Sequence, residues 1–263
     1  MFIYPASASA LTLRDAIEAA GESSDLVMCL DAGDIASWPG SGQQWFDRSE
    51  TASHYYLGDT AGAEGIDPSF VGVAGGIADE YCAFAGANRC SPPSVPGWYQ
   101  AFISSGAEFS LFAIERHPAL GTHFVHSATG TGLYTGTTLD INSGKTYFAI
   151  HNGSGVALAK AADTALSANS WHAMAVSLNK ADIGFMWADG GYLRVGGADT
   201  WSAAFTSPAG SAYPPRLGST NHNTGLYYSA AGSRIAGMAI WSRSLSKSAL
   251  DALFALQRER YGI

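Results

Sequence analysis

The chain of 263 residues, 47% of them hydrophobic and only 14% charged, can bury a large core, and this composition excludes a disordered protein. Its net charge of −8, with 14 scattered Lys and Arg residues, argues against nucleic acid and anionic membranes as partners. Apolar runs also stay well short of the ~20 residues that span a bilayer. The 31 glycines and 12% of aromatic residues are typical of short strands joined by tight turns.

Residues 1–22 form the first predicted unit, an arm that precedes a sandwich domain at residues 23–263. Thr12 can cap a short amphipathic helix that Gly21 would end. The stretch before this helix lacks the basic residues that open a secretory signal peptide. A short helix in this position could dock onto another subunit or lie as a strut across its own sandwich.

The apolar start of the arm favours a role in assembly. Phe2, Ile3 and Tyr4 would expose apolar surface unless something covered them, and such patches usually mark contacts. We therefore expect these three residues to contact a particle or neighbouring subunits. In the alternative, the arm folds back along its own sandwich, and Leu13 and Ile17 are buried within one subunit.

From residue 25 onward, strand-like patterns follow one another at intervals typical of β-sandwiches. Both faces of the segment 171–178 are largely apolar, which is typical of a strand that lies between two layers. The predicted strands include 26–30, 81–84, 108–115, 122–126, 145–151, 171–178, 183–187 and 235–241.

Turn and cap residues mark the ends of the later elements. Asp189-Gly190 predicts a type I′ hairpin, because both central residues of that turn need a positive φ. We therefore interpret Asp189 as a turn residue rather than a catalytic acid. A helix is predicted over 246–257, with Ser246 as its N-cap and Gly262 as its stop.

Three cysteines, Cys29, Cys82 and Cys90, give an odd count. The last two could close a short loop, but nothing in the sequence marks an oxidising compartment, so we expect buried free thiols. The three residues also lack the CxxC spacing of a zinc site.

Short motifs follow one another along residues 25–260. The opening motifs are Leu30-Asp31-Ala32-Gly33, Ser37-Trp38-Pro39-Gly40-Ser41-Gly42 and Trp45-Phe46-Asp47-Arg48-Ser49. The central and closing motifs are Ser170-Trp171-His172-Ala173-Met174-Ala175-Val176, Pro215-Arg216-Leu217-Gly218-Ser219 and Ile240-Trp241-Ser242-Arg243-Ser244-Leu245-Ser246. In this order, the motifs resemble laminin-G-like domains of the concanavalin A-like lectin and glucanase superfamily, as found in structural proteins of tailed bacteriophages.

The resemblance implies a concanavalin A-like jelly roll, in which two antiparallel sheets pack face to face and one of them is concave. We therefore expect an all-β, two-sheet antiparallel jelly-roll sandwich with short N-terminal and C-terminal helices. Many domains of this type hold one calcium ion at the rim, which makes calcium the one cofactor to consider. The acidic residues of this chain are dispersed among turns, so we expect no cofactor otherwise.

The glucanases of the superfamily carry their nucleophile and their acid in an E-x-D-x-x-E pattern, because alternate residues of a strand put both carboxylates on one face. Glu-x-Asp occurs nowhere in this chain. We therefore expect a non-enzymatic protein that hydrolyses no β-glucan.

Sugar binding is the positive chemistry that the sequence leaves open. Aromatic rings stack on the C–H faces of sugars, and amide groups bind the sugar hydroxyls. In the alternative, the aromatic residues only pack the core. The candidate carbohydrate-binding residues, all in loop-like stretches, are Trp98, Tyr99, Trp201, Tyr213, Asn221 and Asn223.

The leading functional hypothesis is a non-enzymatic virion protein, a fibre, spike or decoration subunit of a tailed phage or phage-like particle, made in the cytoplasm of the bacterial host. Its expected partners are other virion proteins, further copies of itself in a homo-oligomer, and cell-surface polysaccharide. The first alternative is an extracellular bacterial carbohydrate-binding module. The second is a divergent glycoside hydrolase, which would need paired acids that the sequence does not offer.

Overall fold

The structure is a computed structural model, and it describes residues 11–104, 106, 108–118, 122–129, 134–142, 144–152, 156–205, 214–220, 227–228 and 230–263. Over these residues the chain forms three helices, α1 (Leu13–Ala19), α2 (Gly97–Phe102) and α3 (Lys247–Tyr261). None of the described helices combines the length and the hydropathy that a membrane crossing requires.

Strands make up most of the remaining described chain. The first nine are β1 (Leu26–Asp31), β2 (Gln44–Trp45), β3 (Tyr55–Leu57), β4 (Ser69–Val71), β5 (Tyr81–Phe84), β6 (Cys90–Ser91), β7 (Phe109–Arg116), β8 (Thr122–Thr129) and β9 (Tyr134–Asn142). The next nine are β10 (Lys145–Asn152), β11 (Val156–Ala165), β12 (Trp171–Leu178), β13 (Ile183–Ala188), β14 (Gly191–Leu193), β15 (Trp201–Ser202), β16 (Ser219–Thr220), β17 (Tyr227–Tyr228) and β18 (Ser233–Trp241). The pairings between these strands are antiparallel.

The larger sheet contains nine of the described strands. Their order is β14-β13-β12-β7-β18-β5-β4, with β1 paired to β18 and β15 paired to β13. The strand predicted over 171–178 is β12, and it lies inside this sheet between β7 and β13. All of its residues except Trp171 are buried, which confirms the prediction of a central strand covered on both sides.

A smaller sheet of four described strands, in the order β11-β10-β9-β8, packs against the larger one. Phe148 on β10 contacts Phe109 on β7 with their ring centroids 5.9 Å apart. Thr146 on β10 contacts the sulfur of Met174 on β12 at 3.6 Å. The main core lies between these two layers and draws apolar side chains from both. The predicted all-β, two-sheet antiparallel sandwich is therefore confirmed.

Two helices cover the outer face of the larger sheet and form a second apolar core with it. Leu13 and Ile17 of α1 are fully buried there, as are Leu250 and Leu253 of α3. Both faces of β12 are apolar because one faces the smaller sheet and the other faces these helices. Residues 11–22 thus pack on their own sandwich, which is the alternative to a docking arm.

A buried ion pair joins the two terminal helices to β1. Arg260 on α3 donates from Nη1 and Nη2 to the two carboxylate oxygens of Asp31, at 2.8 and 2.7 Å. The same carboxylate accepts the backbone N–H of Leu13, at the start of α1, at 2.7 Å. Both side chains of the pair are 1% exposed. Asp31, which belongs to the first opening motif, therefore has a structural role.

The predicted caps and the predicted turn are confirmed. The hydroxyls of Thr12 and Ser246 each accept the backbone N–H three residues further on, at 3.0 and 3.2 Å. Gly262 ends α3 in the left-handed conformation, and the helix runs four residues beyond its predicted end. Asp189 and Gly190 have φ angles of 47° and 90°, as the hairpin between β13 and β14 requires.

Two long strands, β9 and β11, are missing from the predicted set. The sequence of β9 mixes Gly and Thr with apolar residues, and β11 is rich in Ala with a Lys and an Asp, so neither shows a clear alternation. Both pair along nearly the full length of β10, whose central residues Tyr147, Phe148, Ala149 and Ile150 form an apolar run. Pairing with this more apolar neighbour, rather than local pattern, places these segments in the sheet.

The three cysteines are free and buried, as predicted. Burial raises the pKa of the Cys29 thiol well above its usual value, and the carboxylates of Asp31 and Asp47 raise it further. This thiol is therefore a small core residue rather than a reactive group.

Candidate functional site

Two predicted sugar-binding residues, Trp98 and Tyr99, lie on α2. Tyr99 is 1% exposed, and its hydroxyl accepts the backbone N–H of Thr137 at 3.2 Å. Burial raises the pKa of this phenol to about 12. A sugar cannot stack on a ring inside the core, so Tyr99 is corrected to a packing residue. Trp98 is half-buried and meets Tyr99 edge to face at 5.8 Å, and its contact with a sugar stays a prediction.

Trp201, a third candidate, is also a packing residue. Its ring is 7% exposed and lies over Phe148, with centroids 6.3 Å apart and an interplanar angle of 27°. The same ring closes over Gly184 on β13, where any Cβ atom would collide with it. With 7% of its surface exposed, Trp201 leaves too little ring area for a sugar to stack on, and its predicted role in sugar binding is corrected.

The other predicted residues lie outside the described part of the chain. These are Tyr213, Asn221 and Asn223 for sugar binding and Phe2, Ile3 and Tyr4 for assembly. Their roles stay predictions.

A pocket of about 380 Å³ opens on the outer face of the larger sheet, between the start of α3, the strand β13 and the edge strand β14. Its apolar wall is formed by Ile183, Phe185 and Tyr192. The rings of Phe185 and Tyr192 meet edge to face, with centroids 5.4 Å apart at 90°. Ile183 is 46% exposed and Tyr192 is 37% exposed, so this apolar surface is open to solvent.

The pocket exists because α3 begins too late to cover the whole strand. Alternate residues of β13 point toward α3. Among them, Trp187 packs against Phe254 of α3, with ring centroids 5.6 Å apart. Its indole N–H donates to Asp251 of the same helix at 2.9 Å. Ile183 and Phe185 precede Trp187 on the strand and line the pocket, where Ile183 is exposed and Phe185 is half-buried.

Polar groups line the opposite side of the pocket. They come from the end of β12, the segment before β15 and the cap of α3, and they are Ser177, Asn179, Thr200, Ser244, Ser246 and Lys247. Lys247 Nζ donates to the carbonyl of Gly190 at 2.9 Å and to Asp251 at 2.6 Å, and lies 5.8 Å from the centroid of the Tyr192 ring. Aromatic faces and hydrogen-bonding groups therefore share one cavity.

Glu108 orients the hydroxyl of Ser244, one of the polar groups that line the pocket. The Ser244 hydroxyl donates to Glu108 Oε1 at 3.0 Å, and Lys180 Nζ lies 3.2 Å from Glu108 Oε2. Burial alone would raise the pKa of Glu108, but the hydrogen bonds from Ser244 and the Lys180 ammonium outweigh it and lower the pKa. The carboxylate is therefore ionised at neutral pH.

The pocket was not among the sequence predictions. Ile183 and Phe185 were predicted only as residues of the strand at 183–187, and no binding role was predicted for Tyr192. The one local signal was the cap at Ser246, which places the start of α3 along the chain but not its position over β13.

A second pocket, of about 240 Å³, is lined by Gln44, Ser53, His54 and a proline-rich segment at 92–96. His54 Nδ1 accepts the backbone N–H of Asp47 at 3.1 Å, and the ring packs against Phe46. This cavity offers no exposed aromatic pair among its lining residues. It is less suited to a sugar than the pocket at β13 and β14.

Ser167, His172 and Asp189 lie in the order of a hydrolase triad. Asp189 Oδ2 is 2.6 Å from His172 Nδ1, and Ser167 Oγ is 3.2 Å from Nε2. However, Nε2 is also 2.8 Å from the carbonyl of Ser167. The carbonyl of Ser167 only accepts hydrogen bonds and therefore competes with the hydroxyl for Nε2, while the hydrogen bonds to Asp189 and Ser167 raise the pKa of His172. This arrangement favours a histidine that is held in place by its partners over a general base that activates Ser167.

Among the described residues, no three His, Cys, Asp or Glu side chains converge in a metal site. Calcium at the rim therefore stays a prediction from the resemblance.

Neither a protein-family model nor a curated protein sequence matches the chain. Solved structures do. The binding domain of Paraclostridial Mosquitocidal Protein 1 has a TM-score of 0.58 at 12% identity, and the match covers 88% of this chain and 52% of that one. The receptor-binding domain of botulinum neurotoxin type G has a TM-score of 0.59 at 11% identity, with 89% and 52% covered. A Trypanosoma rangeli sialidase has a TM-score of 0.59 at 13% identity, with 90% and 33% covered.

The chain thus spans between one third and about half of the length of these similar structures. At such low identity, the likeness shows the fold alone. The similar structures include binding domains of toxins as well as sialidases, which are enzymes. They agree with the antiparallel sheets and terminal helices described above. The chain therefore has a β-sandwich fold that is compatible with a lectin-like jelly roll.

Proposed function

We propose that the protein binds glycans without hydrolysing them, and that it serves as a fibre, spike or decoration subunit of a tailed phage or phage-like particle. The glycan site is the pocket between β13, β14 and the start of α3. The observation that carries the proposal is the open pair of rings at Phe185 and Tyr192, which faces hydroxyl and amide groups across one cavity.

The pocket has the two chemical features that sugar recognition needs. Phe185, Tyr192 and Ile183 offer apolar surface for the C–H face of a pyranose. Opposite them, Asn179 accepts two backbone N–H groups through Oδ1, at 2.9 and 3.2 Å, while its Nδ2 has no partner among the described residues. This amide and the nearby hydroxyls can bind sugar hydroxyls, and the cavity volume lies within the range of small-molecule sites.

Two comparisons support glycan binding. The binding domain of botulinum neurotoxin DC was solved in complex with SialylT, and it has a TM-score of 0.59 to this chain at 11% identity. The Trypanosoma rangeli sialidase was solved with sialic acid. The role in a particle is supported by the ordered motifs that resemble structural proteins of tailed phages. An extracellular carbohydrate-binding module is the alternative.

Replacing Tyr192 with alanine tests the site. A glycan array identifies ligands of the wild-type protein, and titration calorimetry then compares the variants. We expect Tyr192→Ala to weaken binding about tenfold, because one stacking ring contributes roughly 1 kcal/mol beyond its buried area. Its melting temperature should change little, since the ring is 37% exposed.

Val73→Ser serves as the matched control, because Val73 is 73% exposed and does not line the pocket. It should leave the affinity unchanged. Unaltered affinity of Tyr192→Ala would rule out this pocket as the site. Reducing-sugar release from a bound glycan that stops when one Asp or Glu is replaced would show that the protein is an enzyme.

A further inference from the structure

The charges around the pocket at β13 and β14 are already matched by partners of the protein itself. From this we infer that the pocket binds a neutral pyranose, such as a hexose or an N-acetylhexosamine, rather than a sialylated or uronic-acid sugar. The inference rests on the proposed glycan-binding function and names the class of sugar.

Lys247 is the ammonium group that lines the pocket. Two of its three donors are used, by the carbonyl of Gly190 at 2.9 Å and by Asp251 at 2.6 Å. Its Nζ also lies near the face of Tyr192, at 5.8 Å from the ring centroid. A sugar carboxylate would have to compete with Asp251 for this group, and it would approach a carboxylate of the same sign.

The other charges near the polar side are also paired. Lys180 lies 3.2 Å from Glu108, and Glu108 in turn accepts the hydroxyl of Ser244 in the pocket lining. Two carboxylates therefore offset the two ammonium groups among the described residues of this region. The whole chain carries a net charge of −8, which adds long-range repulsion of an anionic ligand.

A neutral pyranose carries no carboxylate, so it neither competes with Asp251 for Lys247 nor is repelled by the negative charges. Its ring can lie on one of the two perpendicular rings, Phe185 or Tyr192, and contact the other at its edge. Its hydroxyls can bind Asn179 and Ser246 without displacing an ion pair. An anionic sugar would bring its carboxylate near Asp251 and Glu108 without an unused cation to receive it, and like charges brought together across an interface weaken binding strongly.

The test compares matched oligosaccharides with and without a terminal sialic acid, on an array and then by calorimetry at low and high NaCl. We expect the wild-type protein to prefer the neutral member of each pair by at least about tenfold. Binding of the neutral sugar should not depend on salt, because no charged contact is formed with it.

Asp251→Asn should improve the binding of the anionic sugar. Asparagine keeps an oxygen for the indole N–H of Trp187 but frees the charge of Lys247, so it should narrow the preference for the neutral sugar several-fold. Val73→Ser is again the control and should keep the wild-type preference.

Equal or tighter binding of the sialylated member by the wild-type protein would overturn the inference while leaving the proposed glycan function intact. An unchanged preference in Asp251→Asn would overturn the role given to the paired charges. Failure of the wild-type protein to bind either member would instead contradict the proposed function, and the inference with it.

Discussion

Two buried histidines near the end of β12 have pKa values shifted in opposite directions. Burial would lower the pKa of His172, but its hydrogen bonds to Asp189 and Ser167 outweigh burial and raise it. Burial lowers the pKa of His117, whose ring stacks on that of His172 with centroids 5.9 Å apart. Glu115, which is 1% exposed, pairs opposite His172 in the register of β7 and β12. As pH falls, His172 is therefore protonated before His117.

Asp189→Asn should destabilise the protein more at acid pH than at alkaline pH. Because the folded pKa of His172 is raised, its contribution to stability is fully present below the ordinary value of 6.5 and is lost as pH rises through the folded value. Asparagine tolerates the left-handed turn but removes the charged acceptor, at a cost of about 1 kcal/mol at acid pH. Urea unfolding at a series of pH values measures the difference.

Asp182→Asn is the matched control for this exchange. Asp182 is also left-handed, with φ of 55°, and has no histidine partner among the described residues. Its small effect should be the same at every pH. A loss for Asp189→Asn that is equally constant with pH would argue against the charged pair.

At the scale of elements, the terminal helices, β1 and the larger sheet depend on one another. Arg260 of α3 and the backbone of Leu13 of α1 bind the same carboxylate, that of Asp31 on β1. Gln257 of α3 also donates to the carbonyl of Leu11 at 2.9 Å. The first and last described elements thus close over the sheet as one unit.

Arg260→Met should lower the free energy of unfolding by about 3 kcal/mol or more, because it leaves the Asp31 carboxylate buried without its cation. Chemical unfolding followed by circular dichroism measures this. Arg194→Met is the control, since Arg194 and Asp199 form an exposed pair, with side chains 65% and 47% exposed. The control should change stability by less than about 1 kcal/mol. Similar losses in both variants would show that burial of the pair does not matter.

At the scale of the whole molecule, α1 packs on its own sandwich, so within the N-terminal segment only the residues before it can contact a particle or another subunit. Leu13 and Ile17 are fully buried in the sandwich and contribute to its stability. The proposed contact with a particle therefore belongs to residues 1–10, which include Phe2, Ile3 and Tyr4.

Deletion of residues 1–10 should abolish incorporation into particles and leave the melting temperature unchanged, because the described contacts of α1 are kept. Deletion of residues 1–22 should lower the melting temperature as well, since it removes the buried side chains of Leu13, Ala16 and Ile17 and a hydrogen bond to Asp31. Protein content of purified particles and thermal melting measure the two effects. Normal incorporation after deletion of residues 1–10 would contradict the assembly role.

Much of this fold could be predicted from the sequence, because it depends on interactions between residues that are close along the chain. The apolar faces of 171–178, the hydroxyl caps at Thr12 and Ser246, and the Asp189-Gly190 turn depend on residues a few positions apart, and each was predicted correctly. The all-β class was expected from the regular spacing of strand-like patterns and from the resemblance to laminin-G-like domains. Only tertiary structure decided that β9 and β11 join the smaller sheet, because their own patterns are weak and β10 supplies the pairing.

The candidate site, too, was determined partly by the sequence and partly by tertiary packing. The sequence determined that aromatic residues are abundant, but whether a ring is buried or open depends on what packs over it. Tyr99 and Trp201 are covered by the main core, whereas Tyr192 is 37% exposed and Phe185 is half-buried at the pocket beside the start of α3. That offset between a helix start and a strand joins segments some sixty residues apart in the chain, and no pattern within either segment records it.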